Sequence, residues 1–292
     1  MIVVAGSTGT LGTRLVPRLA GAGQVVRVLT RDPARAQHLA GPGVAVVCGD
    51  VRDPAQVAQA VRGAGTVISA VHGFAGPGRV SPATVDRAGN ANLIGAAARS
   101  GAAFILVSVA GAAPDHPIGL FRAKCAAEDM LRASGLPWTI VRATAFMETW
   151  AAIMSRMLQS SGKIVVFGRG DNPINFVSAA EFQDLTAQAG IGHRVPDQGG
   201  HVGGPDNLTF NQVAAILQEA TGRHAPVRHI PRPALRAMTW LTAGIKPALA
   251  RQARAALAMD TLDMTFDPTP TRRAVPGLPD TGMQSAIKEL LA

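Results

Sequence analysis

The 292-residue sequence contains no tyrosine and only two cysteines, Cys48 and Cys125. Two cysteines are too few for a disulfide framework, and their spacing is not that of a metal site. No apolar run approaches the roughly 18–20 residues of a membrane span, and the N-terminus enters a strand without a basic lead. The sequence therefore predicts a cytoplasmic protein with no membrane span.

Acidic residues are absent from one long segment. Residues 220–259 contain no aspartate or glutamate, in a chain whose formal net charge is +9. The basic residues of this segment are Arg223, Arg228, Arg232, Arg236, Lys246, Arg251 and Arg254. They could attract a polyanionic partner or form solvated helix faces, and we favour the second interpretation. Because no aromatic interleaving and no nucleic-acid-binding signature accompanies them, no nucleic-acid partner is expected.

Three glycines follow the first apolar run, Ile2–Ala5, and precede a helical segment. A strand that turns on glycine into a helix start can cradle a phosphate, because backbone N–H groups and the helix dipole converge there. A side chain would keep a pyrophosphate away from the backbone. The spacing G-x-x-G-x-x-G fits this role, although an ordinary strand–helix turn is the alternative. The predicted cofactor-binding residues are Gly6, Ser7, Thr8, Gly9, Thr10, Leu11 and Gly12.

The first half of the chain alternates β-rich runs with helical segments, which is typical of a doubly wound parallel sheet. After about Phe146 this regularity weakens. The sequence therefore predicts an α/β protein with a Rossmann-type NAD(P)-binding domain over residues 1–145, joined by a returning strand near residues 200–203. A smaller mixed α/β lobe over residues 146–292 would cover the substrate. Because the returning strand brings the chain back to the first domain, the boundary between the two is not a single cut.

The end of the second predicted strand favours NADP(H) over NAD(H). An NAD site has a carboxylate about 20 residues past the glycines, whereas this chain has Thr30 followed by Arg31. A guanidinium there can bind a 2′-phosphate through charge-assisted hydrogen bonds, and Arg35 could assist. The alternatives are that Arg31 is an exposed loop residue and that Asp32 serves as the carboxylate of an NAD site.

The ends of the third and fourth predicted strands supply further candidates. Asp50, followed by Val51, either bonds an adenine amino group or caps the helix that begins near Pro54. The small residues Ser69-Ala70-Val71 allow the backbone to approach the cofactor. His72 comes next; a structural role is the more usual fate of a lone histidine, with catalysis the alternative.

Several stretches carry a family resemblance: Val4–Gly12, Val28–Arg31 and Gly49–Asp53. Further matches are Phe121–Lys124, Trp138–Arg142, Phe146–Glu148, Ile174–Ser178 and Gly203–Pro205. Over most of residues 1–210 the chain resembles the NmrA-like group of atypical short-chain dehydrogenase/reductases, which includes triphenylmethane reductase and NADPH quinone reductases. The resemblance implies the fold and an NADP(H) cofactor more specifically than it implies a substrate.

The resemblance also bears on catalysis. Most of that superfamily uses a Tyr-x-x-x-Lys pair, but here Leu120 stands four residues before Lys124. The resemblance therefore implies the branch without this acid pair, with Lys124 on the nicotinamide ribose and Ser108 facing the nicotinamide. Lys124, Ser108 and His72 are the catalytic candidates. Lys124 could instead be a surface lysine paired with Glu128. The usual Arg-Pro after the sixth strand is here Arg142-Ala143.

The substrate candidates are apolar. Phe74, Phe146, Met147 and Trp150 could line an aromatic pocket or could be core residues, as could Phe121 and Phe176. We expect an NADPH-dependent reductase that transfers hydride to a planar apolar small molecule such as a quinone or enone. The alternatives are a non-catalytic NADP(H)-binding regulator of the NmrA type and, less favoured, a structural subunit. The sequence is compatible with a homo-oligomer.

Overall fold

A computed structural model describes residues 1–191, 200–274 and 280–291 of the chain. Its strands, in chain order, are β1 (Ile2–Ala5), β2 (Val26–Thr30), β3 (Val44–Cys48), β4 (Thr66–Ser69), β5 (Ala103–Val109), β6 (Trp138–Ala143), β7 (Ala145–Phe146), β8 (Ile164–Phe167), β9 (Ile174–Val177), β10 (His201–Val202), β11 (Asn207–Leu208) and β12 (Val227–Ile230).

The helices run between these strands and over the C-terminal part. They are α1 (Gly12–Gly21), α2 (Pro33–Ala36), α3 (Pro54–Val61), α4 (Ala88–Ser100), α5 (Gly119–Arg132), α6 (Met147–Ser161), α7 (Ala179–Gly190), α8 (Phe210–Thr221), α9 (Arg232–Leu241), α10 (Pro247–Met259), α11 (Thr269–Ala274) and α12 (Met283–Leu291). No helix within the described residues is long and apolar enough to cross a membrane.

The central sheet has seven strands in the order β10-β6-β5-β4-β1-β2-β3. Parallel pairing joins β1 to both β2 and β4, so the strand order reverses at β1, where open α/β sheets bind their ligands. All four residues of β1 are buried, because an inner strand of a parallel sheet is covered on both faces. The predicted doubly wound sheet is confirmed.

The chain forms two compact units, and each is discontinuous in sequence. The first contains Met1–Arg142 and Phe182–Gly200, and the second contains Ala143–Glu181 and His201–Ala292. In the first unit, Leu15, Val16 and Leu19 bury one face of α1. The second unit contains two small sheets, ordered β11-β9-β7 and β12-β8. β9 pairs antiparallel with β11 and parallel with β7, so this unit is mixed as predicted.

The helical segment before β5 is not one continuous α-helix. Residues Pro82–Arg87 form a π-helical turn, and α4 continues from Ala88. Ser81 starts the turn with a capping box, in which its side chain and that of Thr84 each accept from the other's backbone N–H. The widened turn carries Asp86, whose side chain is completely buried. A π-turn inside a helix is frequently found at functional sites.

Candidate functional site

The glycine turn lies between β1 and α1, at the carboxyl edge of the sheet. Leu11 occupies the N-cap position of α1 and provides no side-chain hydrogen bond, so the first-turn amides are left without a side-chain cap. The hydroxyl of Ser7 is buried and has no hydrogen-bond partner among the described residues. A helix N-terminus without a side-chain cap and an unpaired hydroxyl beside it are features of an anion-binding turn.

The three glycines of this turn are required for different reasons. Gly6 has a φ of +87°, and a Cβ there would lie 2.3 Å from the carbonyl oxygen of Ala70. A Cβ on Gly12 would lie 2.4 Å from the carbonyl oxygen of Gly6. Gly9 is exposed, and its Cβ would meet only the Gly6 carbonyl, at 3.5 Å. The protein itself therefore requires Gly6 and Gly12, whereas the bare backbone at Gly9 faces the exterior and suits a phosphate.

The carboxylate of Asp32 is engaged as a helix cap. Its Oδ1 accepts from the backbone N–H groups of Ala34 and Arg35, at 3.1 and 3.4 Å, and so caps α2. Thr30, before it, bonds to the backbone of Asp32. The side chains of Arg31 and Arg35 are exposed, and neither forms an ion pair with a described carboxylate. The strongest local candidates for binding an anion are therefore these two guanidiniums.

Asp50 binds an arginine instead of capping a helix. Its carboxylate accepts two hydrogen bonds from Nε of Arg52, both at 3.0 Å, and another from the Arg52 backbone N–H. The hydrogen bond from the Arg52 side chain is the main cause that lowers the pKa of Asp50, and Arg31 contributes at longer range. The helix cap considered for Asp50 is supplied by Asp53, which accepts from Ala55 and Gln56. The capping interpretation of Asp50 is therefore wrong.

Lys124 is buried in the first unit and is not a surface lysine. Its ammonium donates to the carbonyl oxygens of Val71, at 2.9 Å, and Val107, at 3.0 Å. It also forms an ion pair with Asp86 Oδ1 at 3.2 Å, and the two side chains are 4% and 0% exposed. Asp86 Oδ2 accepts from the backbone N–H of Gly73. The proposed surface pair between Lys124 and Glu128 is therefore wrong; Lys124 ties the ends of β4 and β5 to the π-helical turn.

Ser108 lies near the end of β5 and is 2% exposed. Its hydroxyl donates to Glu128 Oε1 at 2.6 Å. Glu128 also accepts from Arg142 and Arg132. Burial opposes ionisation of Glu128, yet the hydrogen bonds from Arg142 and Ser108 outweigh it and hold the pKa of this carboxyl below its usual range. Glu128 is therefore ionised, and the Ser108 proton is directed towards it.

His72 follows β4 and is an exposed residue. Desolvation lowers the pKa of His72; the Asp86 carboxylate opposes this shift, and the Lys124 cation adds to it. The ring also contacts Phe74, with centroids 6.0 Å apart. Because its pKa is lowered from an ordinary value that is already below neutral, the imidazole is neutral at physiological pH.

The remaining cofactor candidates, at the ends of β3 and β4, are described by their hydrogen bonds and backbone contacts. The hydroxyl of Ser69 donates to Asn90, 2.5 Å away, and is buried. The Ala70 carbonyl oxygen lies against Gly6, and that of Val71 accepts from Lys124. The Val51 carbonyl accepts from Asn92. The Ser69 side chain is thus engaged inside the first unit, while the strand end around Ala70 approaches the glycine turn.

Of the substrate candidates, Phe146, Met147 and Trp150 belong to the second unit. Met147 is 1% exposed, so the structure gives it a packing role. Trp150 is half-buried and contacts Phe210, with ring centroids 4.6 Å apart. Phe146 is also half-buried, as is Phe74 in the first unit. Phe176 is completely buried, and Phe121 stacks on His116 at 4.1 Å. Phe74, Phe121, Phe146 and Trp150 are the partly exposed members of this set.

A family model described as NAD(P)H-binding matches residues 6–165, which is more than half of the chain. The chain belongs to this NAD(P)H-binding family. It is 30% identical over 232 residues to the NAD(P)H azoreductase of Xenophilus azovorans, covering 79% of this chain and 76% of that protein. It is 27% identical over 239 residues to quinone oxidoreductase 2 of Escherichia coli K12, covering 79% and 78%. The resemblance to NmrA-like short-chain dehydrogenase/reductases is confirmed.

Solved structures support the same fold. The NADPH complex of the E. coli quinone oxidoreductase QOR2 superposes with a TM-score of 0.77 at 22% identity, over all of both chains. The triphenylmethane reductase of Citrobacter sp., complexed with NADP(H), gives a TM-score of 0.77 at 21% identity, over 99% of this chain and 100% of the other. At this level of identity the likeness shows the shared fold of the family.

Sequence reasoning missed Asp86 of this NAD(P)H-binding protein, and it considered Glu128 only as a surface partner of Lys124. Each faces inwards from a helix and bonds a candidate catalytic side chain. A signal was present for Glu128, because Lys124, Glu128 and Arg132 follow one another at intervals of four residues on α5 and so share a helix face. For Asp86 the sequence offered none, since its partner lies on a distant helix.

Proposed function

We propose that the chain is an NADPH-dependent reductase that transfers hydride to a planar apolar electrophile such as a quinone or an enone. The observation that carries the proposal is the glycine turn, where only Gly9 leaves space outside the protein for a ligand. The relatives named NAD(P)H azoreductase and quinone oxidoreductase support an NAD(P)H-dependent oxidoreductase.

The residues of the first unit fit a phosphorylated dinucleotide. The positive end of α1 and the unpaired Ser7 hydroxyl would bind the pyrophosphate, which the missing side chain at Gly9 allows to approach. Arg31 and Arg35 would bind the 2′-phosphate, since Asp32 caps α2 and Asp50 is neutralised by Arg52. This engagement of both carboxylates supports the preference for NADPH over NADH. Bound NADPH would supply the hydride from its nicotinamide ring.

The catalytic candidates offer no strong acid to the substrate. The Ser108 hydroxyl already donates its hydrogen bond to an ionised Glu128. The Lys124 ammonium is held by the carbonyl oxygens of Val71 and Val107 and by the Asp86 carboxylate. His72 is neutral at physiological pH. Such a set suits acceptors whose reduction gives a delocalised anion or a neutral product. It suits simple ketones poorly, because their alkoxides need a proton at once.

A non-catalytic NADP(H)-binding regulator is the second candidate function. The contacts of Lys124 and Ser108 favour it, because neither side chain is free to deliver a proton to a substrate. The phosphate-binding turn is compatible with both functions, since a sensor and a reductase need the same cradle.

NADPH oxidation measured across quinones, enones, azo dyes and cationic triphenylmethane dyes distinguishes the two. Turnover of a planar acceptor, with NADPH preferred to NADH, is the expected result. Tight NADPH binding by calorimetry without turnover of any acceptor would establish the regulator instead. Absence of binding to either dinucleotide would refute both.

A further inference from the structure

The end of α9 and the turn after it expose three large apolar side chains. Trp240, Leu241 and Ile245 are 85%, 75% and 81% exposed, whereas the next most exposed large apolar residue described, Val25, reaches 57%. Isolated apolar residues on a surface are ordinary, but a contiguous group marks an interaction site. This group, the apolar tip, lies inside the segment that has no acidic residue.

The local structure holds the apolar tip outwards. Leu235 and Thr239 bury one face of α9, and the three- and four-residue periodicity of a helix then places Trp240 on the opposite side. The turn is closed by hydrogen bonds from the backbone N–H groups of Ile245 and Lys246 to the Thr242 carbonyl, at 3.2 and 2.7 Å. The exposure of the apolar tip therefore follows from an ordered helix end and turn.

Cations flank the apolar tip along the chain. Arg236 shares the exposed side of α9, Lys246 directly follows Ile245, and Arg254 is exposed on α10. None of these three cations forms an ion pair within the described parts of the chain. Arg232, by contrast, is bound to the buried Asp260. The surface thus combines exposed apolar side chains with uncompensated positive charge.

We infer that the apolar tip and its cations form a docking surface for an anionic lipid bilayer. Tryptophan and aliphatic side chains enter the boundary between headgroups and acyl chains, while lysine and arginine meet the anionic headgroups. This recruitment is peripheral, and no helix of the described chain crosses the bilayer. It brings the protein to the phase in which planar apolar molecules concentrate.

A second copy of the chain fits this surface poorly. A standard protein interface takes about 20–30 residues a side, far more than the apolar tip supplies. Two copies meeting here through a symmetric contact would also bring like charges together. A nucleic acid would use the cations, but it would leave Leu241 and Ile245 without an apolar environment. A bilayer uses both features of the surface.

The test uses the full chain with sedimented vesicles, either pure phosphatidylcholine or an equal mixture of phosphatidylcholine and phosphatidylglycerol. We expect binding to the anionic vesicles, weakened by salt, and little binding to the neutral ones. Trp240 is the most exposed tryptophan, since Trp138 and Trp150 are half-buried. Its emission should shift to shorter wavelength on binding, and lipids brominated on the acyl chain should quench it.

Variants separate the two contributions. Trp240→Ser should lower the vesicle partition coefficient by about tenfold or more, because it removes a large inserted side chain. Arg236→Gln and Lys246→Gln should each lower it by about fivefold on anionic vesicles. Val25→Ser, an exposed apolar residue of the first unit, and Arg99→Gln, an exposed arginine of α4, are matched controls that should leave binding unchanged.

Three results would overturn the proposal. The first is no binding to anionic vesicles by a folded wild-type protein. The second is binding that the cation variants abolish and Trp240→Ser leaves intact, with equal retention on duplex DNA, which would identify a polyanion site. The third is a wild-type dimer that Trp240→Ser converts to a monomer in analytical ultracentrifugation without any effect of lipid. That result would identify a contact between copies.

Discussion

The Ser108 hydroxyl and the Glu128 carboxylate form a buried hydrogen bond of 2.6 Å, and Nε of Arg142 donates to the same carboxylate oxygen at 2.8 Å. The direction of this bond has a chemical consequence. Because Glu128 is ionised and can only accept, Ser108 must donate to it, and only the serine oxygen lone pairs remain for a ligand. A serine held in this way positions a neighbour by accepting from it and does not supply a proton.

The pH dependence of folding should reveal this carboxylate. The ordinary pKa of glutamate is 4.5 and that of Glu128 is lowered on folding, so its ionised form stabilises the protein fully above pH 4.5. This stabilisation is lost as the pH falls through the lower native value. The loss of stability in Glu128→Gln, measured by urea unfolding, should therefore be largest near neutral pH and shrink on acidification. Asp129→Asn, at a neighbouring side chain that is 67% exposed, should show no such trend.

Arg31→Ala should weaken NADPH binding and leave NADH binding almost unchanged. A hydrogen bond to a charged group contributes roughly 1.5–3 kcal/mol, so the expected loss in NADPH affinity is about ten- to a hundredfold. Calorimetric titration with both dinucleotides measures it, with Arg99→Ala as the control for removing an exposed arginine elsewhere in the first unit. An equal loss for both cofactors would remove Arg31 from the 2′-phosphate site.

The glycines of the turn should respond in opposite ways. Gly9→Val should abolish binding of both dinucleotides while the protein stays folded, because its side chain fills exterior space. Gly12→Ala should instead lower the melting temperature, since its Cβ would press on the Gly6 carbonyl. Gly21→Ala, at the far end of the same helix with open space around it, should change neither property. Normal cofactor binding by Gly9→Val would place the phosphate elsewhere.

Lys124→Met should affect both stability and cofactor use. It leaves the Asp86 carboxylate buried without its cation, and breaking a buried pair in this way costs about 3–5 kcal/mol. Adding Asp86→Asn should recover part of that loss in urea unfolding. In assays, Lys124→Met should raise the KM for NADPH more than it lowers kcat, whereas Lys163→Met, at an exposed lysine, should change neither. An unaltered KM would leave Lys124 with a purely structural role.

Simple aliphatic ketones should be poor substrates compared with quinones and cationic dyes. General acid catalysis typically contributes about 10²–10⁴-fold, and no tyrosine is present to supply it. Steady-state rates on matched ketone and quinone series measure the difference. Efficient ketone reduction, with a pH profile that disappears in His72→Gln or Lys124→Met, would reveal a dedicated acid in the protein.

Local patterns in the sequence predicted the fold and the glycine turn between β1 and α1, because both depend on short apolar runs and on glycine spacing. The partners of the catalytic candidates could not be predicted in the same way. Lys124 bonds to Val71, 53 residues away, and Ser108 bonds to Glu128, 20 residues away. Such pairs are set by which strand lies beside which helix. The π-helical turn was missed as well, because one extra residue in a turn barely alters helical periodicity.

The return of the chain to the first unit after Glu181 limits how the protein can be divided. Gly190, at the end of α7, packs against the side chains of Leu19, Ile68 and Ile105, and Asp184 pairs with Arg18. A polypeptide that stops after Arg142 would uncover these apolar side chains in water. Transplanting the first unit into another protein would therefore require two separate segments of the chain, Met1–Arg142 and Phe182–Gly200.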